Sequence, residues 1–141
     1  MNIKKSIFFF VGLAVVILFS AFLINKNLKD PSLTSPQIKF TELKKSLGDV
    51  AQGPQIDGTF EFTNTGEGIL VIGNVSTSCG CTGAMVDEKK EFQPNETGKI
   101  KFTFNTQGRQ GPSDKTITVA TNDPQNPNVV LTLSCNVLPV Q

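Results

Sequence analysis

From residue 37 onward the apolar residues of this chain recur at every second position, and that period restricts the folds open to it. Ile100, Phe102 and Phe104 alternate with Lys99, Lys101, Thr103 and Asn105. Successive side chains of a β-strand point to opposite faces, so such a run buries one face and wets the other. Ile56, Gly58, Phe60 and Phe62 alternate with Asp57, Thr59, Glu61 and Thr63 in the same way. Ile38 and Phe40 share a face near the start, and Ile117 and Val119 point inward from a strand over Thr116–Ala120. Leu131, Leu133, Cys135 and Val137 share one face of a closing strand.

Turn chemistry separates these runs. Asn64-Thr65-Gly66-Glu67-Gly68 supplies residues tolerant of positive φ, and Pro94-Asn95-Glu96-Thr97-Gly98 is a second such break. Ile69–Val75 is apolar on both faces until Gly73 and predicts a central strand, with Ala84-Met85-Val86 a brief one. Leu43, Leu47 and Val50 suit either a helical turn or an irregular edge crossing, and Thr106–Ser113 is expected to be a mobile loop. The predicted fold is all-β: an immunoglobulin-like antiparallel β-sandwich of about seven strands, in which two one-sided sheets cover each other. Phe40, Phe60, Phe62, Phe92, Phe102 and Phe104 would fill much of its core.

The amino-terminal end obeys a different rule. Ile7 to Ile24 is 18 positions without a charge, preceded by Lys4 and Lys5. As a helix it would be roughly 27 Å long, close to the hydrocarbon thickness of a bilayer. It is longer than the apolar core of most cleaved signals, and its small-residue sites near Ser20 and Ala21 match a cleavage site poorly. The expected organisation is a short cytoplasmic tail over 1–6, a transmembrane anchor or signal helix over 7–24, a linker over 25–36 and the sandwich over 37–141. Asp30-Pro31 and Ser35-Pro36 keep the linker extended, because proline removes a backbone donor and restrains its predecessor. The domain would then lie outside the cytoplasm, periplasmic or at the cell surface, and secreted if the segment is cleaved.

Absences remove several function classes. The chain has no histidine, so Ser-His-Asp and Cys-His catalysis and His-containing zinc sites are out of reach. Its three cysteines fall short of a Cys₄ zinc site. From residue 37 eight lysines and Arg109 stand against eleven carboxylates, with no Tyr or Trp, which disfavours nucleic acid as a partner. The acidic stretch at Asp87, Glu88 and Glu91 is interleaved with Lys89 and Lys90 and reads as a solvated face.

One loop remains. Thr77-Ser78-Cys79-Gly80-Cys81-Thr82-Gly83 holds two cysteines flanking a glycine. Four readings are open: a structural role for small, polarizable side chains; a Cys79–Cys81 disulfide, readily reduced and so a candidate redox pair; a soft-metal site for Cu(I) using Cys79, Cys81 and Met85; or a bond from Cys135 to one of the two. A buried, inert thiol is the other state for Cys135.

The same residues carry a resemblance. Leu47-Gly48-Asp49-Val50, Phe60-Glu61-Phe62-Thr63-Asn64-Thr65-Gly66, Leu70-Val71-Ile72 and Ser78-Cys79-Gly80-Cys81-Thr82 appear in order. Pro94 to Ile100, Gly108 and Gly111, Lys115 to Val119, Thr121-Asn122-Asp123 and Val130 to Leu133 follow. The pattern resembles the bacterial exported family known as domain of unknown function fifteen seventy-three. The resemblance implies an immunoglobulin-like sandwich of the Hydin and sperm-protein type behind a signal or lipoprotein peptide, and brings no activity. Leu47 replaces the usual Phe, Asn95 the usual Gly, and Cys135 a frequent Gly. The expected function is a membrane-tethered, extracytoplasmic, non-enzymatic binding or scaffolding module for an envelope partner, without cofactor. The alternative is a thiol-redox or Cu(I)-handling protein acting through Cys79 and Cys81.

Overall fold

The computed structural model describes residues 34–139 except residue 88. The expected tail 1–6, the apolar segment 7–24 and most of the linker lie outside the described residues. Among the described residues no helix is long and apolar enough to cross a membrane.

Nine strands follow one another: β1 (Ile38–Phe40), β2 (Lys44–Ala51), β3 (Gln55–Asn64), β4 (Leu70–Thr77), β5 (Thr82–Val86), β6 (Glu91–Phe92), β7 (Thr97–Asn105), β8 (Gly111–Thr121) and β9 (Asn128–Leu138). One sheet has the order β1-β3-β7-β5, the other β2-β9-β8-β4-β6. The inward rows of the alternating runs meet between them. Phe60, Phe62, Ile100 and Phe102 of the first sheet pack with Leu70, Ile72, Ile117, Val119, Leu131 and Leu133 of the second. Aromatic rings tilt against one another, Phe60 on Phe102 at 5.6 Å and Phe62 edge-on to Phe92 at 4.9 Å. Each such side chain contributes about 1.5–3 kcal/mol by leaving water.

The sandwich therefore has nine strands where about seven were expected, and one pairing is not antiparallel. Residues 43–50 left helix and edge strand open, and the chain resolves it as β2, parallel to β9. The register slips between Ser46 and Asp49, where three steps along β2 match two along β9. Gly48 absorbs the extra residue at φ +66°, a conformation that a Cβ would strain. β4 is interior as expected, between β8 and β6. β8 pairs with Ile72 and Val75–Thr77 across a register shift, whereas the short β6 and the Lys90 carbonyl cover its other side from Leu70 to Ile72.

Two further expectations change. Residues 106–113 were expected to form a mobile loop, yet Thr106 is fully buried and its hydroxyl donates to the carbonyls of Ala51 and Pro54 while accepting the N–H of Gly53. From Gly111 on, the same stretch belongs to β8. The turn after β3 owes its glycines to crowding and not to positive φ: a Cβ on Gly66 or Gly68 would strike the backbone of residues 34–37. The other turn behaves as expected, with Asn95 at φ +64°.

Candidate functional site

β4 ends in the second sheet and β5 begins in the first, so the chain must cross the edge of the sandwich between Thr77 and Thr82. A short crossover leaves backbone groups without ladder partners, and the loop satisfies them locally. The Thr77 hydroxyl lies 3.1 Å from the carbonyl oxygen of Cys79 and 2.9 Å from that of Thr82, and its one proton is shared between them. The N–H of Thr82 reaches back to the Cys79 carbonyl at 3.3 Å, and the N–H of Asn105 holds the Cys81 carbonyl at 2.9 Å. Ser78 and Thr116 bond reciprocally, N–H to carbonyl and N–H to hydroxyl.

Pinned in this way, Cys79 and Cys81 bring their α-carbons to 5.3 Å and are joined in a disulfide. That separation lies inside the range the bond requires. Both residues are half-buried, and Gly80 at the crest is exposed with nothing within 4 Å of the place its Cβ would occupy. Beneath the bond lies Thr82, only 4% exposed. Its Oγ1 is 3.6 Å from Cys79 Sγ and 3.8 Å from Cys81 Sγ. The sequence motif includes Thr82 without assigning it a role. The signal that could have singled it out is its place as the first inward position of β5.

The other sulfur-bearing residues stand apart. Met85 is 65% exposed on β5, opposite Lys101 of β7. Four extended residues from Cys81 to Met85 span about 13 Å. With both sulfurs in a disulfide, neither is the thiolate that a Cu(I) site requires. No group of three His, Cys, Asp or Glu side chains converges on a metal position among the described residues. Cys135 is free, which replaces the reading that joined it to the loop. Its Sγ lies 3.8 Å from the Ser113 carbonyl. Burial pushes its thiol above the ordinary value, with Lys115 pulling the other way and Asp114 adding to the rise.

The loop opens onto an unfinished edge. Among the described residues β5 is terminal in its sheet and pairs only with β7. The bonds from Asn105 N–H to Cys81 and from Asp87 N–H to Lys99 fix which residues of β5 face β7. By alternation the backbone groups of Ala84 and Val86 point the other way. Across from them the uncovered part of β4 completes a groove lined by Gly73, Asn74, Val75, Ala84, Met85, Val86 and Lys90.

The fold has known counterparts. It is similar to a protein of unknown function from Porphyromonas gingivalis W83, at 20% identity and TM-score 0.67, over 79% of this chain and 50% of that one. The ASH / PapD-like domain of human CEP192 is similar at 12% identity and TM-score 0.60, over 83% of this chain and 94% of that one. The secreted serine protease VesC from Vibrio cholerae is similar at 17% identity and TM-score 0.56, over 84% of this chain and 26% of that one. At these identities the likeness carries the fold alone, and the chain spans only part of the first and the last of these proteins. No curated protein matches the sequence. The family model described as Protein of unknown function (DUF1573) matches residues 38–137, and the chain belongs to that family.

Proposed function

We propose that this chain is a membrane-tethered, extracytoplasmic immunoglobulin-like module that binds an envelope protein and performs no catalysis on it. The observation that carries this reading is the unfinished edge of β5. Outward N–H and C=O groups at Ala84 and Val86 offer an extended segment a ready ladder, and the groove beside them accepts its alternate side chains. A solvated edge of this kind invites pairing, and among the described residues neither a proline nor a further strand blocks it.

The address rests on separate supports. The uncharged run over 7–24 behind Lys4 and Lys5 fits an anchor that keeps residues 1–6 in the cytoplasm. The Cys79–Cys81 bond fits an oxidising compartment, since such bonds are rare where thiols are kept reduced.

The test is a photo-crosslinker placed at Met85 in the full-length protein within intact cells. A crosslinked protein partner is expected, and Ala84→Pro, which deletes an outward donor without touching the β7 ladder, should abolish it. Crosslinking that survives Ala84→Pro in a folded protein would refute edge recognition. For the tether, an alkaline wash should leave the full-length chain in the membrane; release of a chain lacking residues 1 to about 21 would show cleavage.

A further inference from the structure

Beyond edge recognition, we propose that the Cys79-Gly80-Cys81 loop is a thiol–disulfide exchange site for a dithiol partner, with Thr82 as the positioning residue that receives the leaving sulfur. Three features of the loop converge on this. The bond closes a loop of sequence separation 2, so the chain entropy it removes from the unfolded state is small. The hydrogen bonds from Thr77, Thr82, Asn105 and Thr116 already hold both ends of the crossover without it. A bond that the fold does not need is free to open.

The second feature is access. Cys79 and Cys81 are each half-buried and flank an exposed Gly80 whose Cβ position has open space around it, so the loop is open to an approaching thiolate. The third is the Thr82 hydroxyl, buried at 4% exposure, with the two sulfurs as the partners within its reach. A disulfide sulfur is a weak acceptor and gives a buried hydroxyl little in return. A thiolate is a strong one, and a charge-assisted hydrogen bond forms only once the disulfide has opened.

A thiolate of the partner dithiol attacks one Sγ of the pair, forming a mixed disulfide. The Cys79–Cys81 bond breaks and its electron pair leaves on the other Sγ, which accepts the Thr82 O–H and then a proton from solvent. The partner's second thiolate attacks the mixed disulfide at its own sulfur, closing the partner's disulfide and releasing the remaining thiolate, which is protonated in turn. Two electrons pass to this chain, the partner is oxidised, and the pinned backbone keeps the two thiols together for the reverse reaction.

The test uses the full-length oxidised protein in detergent with dithiothreitol as the dithiol probe, quenched by alkylation and read by mass spectrometry at residues 79 and 81. Wild type is expected to reduce while staying folded by circular dichroism, and to re-form the bond when the oxidised probe is added. Thr82→Val should slow reduction on the order of tenfold, with Thr82→Ser restoring it. The reduced pair should also alkylate at lower pH than the peptide Ser-Cys-Gly-Cys-Thr, a readout that survives if Thr82→Val does not fold. Reduction that unfolds the chain, a folded Thr82→Val with wild-type kinetics, or a pH profile matching the peptide would each overturn the proposal. Neither set of results bears on edge recognition, which Ala84→Pro tests separately.

Discussion

The carboxylate of Asp123 accepts the backbone N–H of Ile38 at 3.0 Å, joining residues 85 positions apart. Asp123 sits in the turn between β8 and β9, and Ile38 opens β1, so this one bond ties the incoming chain to the β8–β9 turn of the other sheet. The same side chain accepts the N–H of Gln125 at 2.8 Å and the Nδ2 of Asn126 at 3.0 Å.

The first prediction follows from that environment. Burial works to raise the Asp123 carboxyl, but the Asn126 side chain and the backbone N–H groups of Ile38, Gln125 and Asn126 outweigh it and hold it below its ordinary value. A lowered folded value means the ionised form is favoured in the fold. Its contribution is complete above the unfolded value of about 3.9 and is lost as pH falls through the lower folded value. Asp123→Asn should cost about 1–3 kcal/mol at neutral pH. In urea unfolding, the variant should lose less stability than wild type as pH drops from roughly 5 to 2.

Asn64 makes the second prediction. It is fully buried, with Oδ1 accepting the N–H groups of Gln37 and Gly66 and Nδ2 donating to the carbonyls of Gly68 and Phe92. No other side chain type offers two donors and two acceptors in so small a plane except glutamine. Asn64→Ala strands several of these groups and should cost about 2–4 kcal/mol, at about 1–3 kcal/mol for each buried group left unpaired. Asn64→Asp should be at least as harmful, because it turns a carboxylate oxygen toward the two carbonyls. Thermal melts of both variants check this.

Glycines give a contrast. A Cβ on Gly98 would run into the rings of Phe62 and Phe92, whereas one on Gly80 would meet nothing within 4 Å. Gly98→Ala should therefore cost about 1–3 kcal/mol through overpacking of the aromatic pair. Gly80→Ala should leave the melting temperature within about a degree or two, as surface changes do. Equal losses at both positions would contradict the packing described.

The cysteines make the last. Alkylation of the native, unreduced protein should place one label, at Cys135, slowly near neutral pH and faster as pH rises, because its thiol titrates above the ordinary value. Reduction should raise the count to three. Replacing both Cys79 and Cys81 by alanine should cost only about 1.5 kcal/mol, the loop-entropy value for so short a ring.

Where the alternating runs lie on β3, β7 and β9, period two could be read directly, because each side chain there faces either the core or water and the choice is local. The same logic misleads at β2. Leu47 and Val50 are three apart, which mimics a helix, because the bulge between Ser46 and Asp49 inserts a residue and shifts the inward parity. At β4 the apolar start does mark an interior strand, flanked by β8 and β6. That Gly73, Asn74 and Val75 beyond it border a groove depends on how short β6 is.

The loop divides in the same manner. That Cys79 and Cys81 could meet was legible from their spacing around Gly80. That Cys135 stays apart, that Met85 points to solvent, and that Thr82 lies beneath the sulfurs depend on which strands become neighbours. Composition and period alone were enough for the all-β sandwich and its aromatic interior, since both depend on how single residues partition between water and an apolar phase. The parallel partnership of β2 with β9, the open edge at β5 and the buried hydroxyl under the disulfide were set by long-range pairing. No local pattern encodes those choices, because each is made between strands that meet only after the chain has closed on itself.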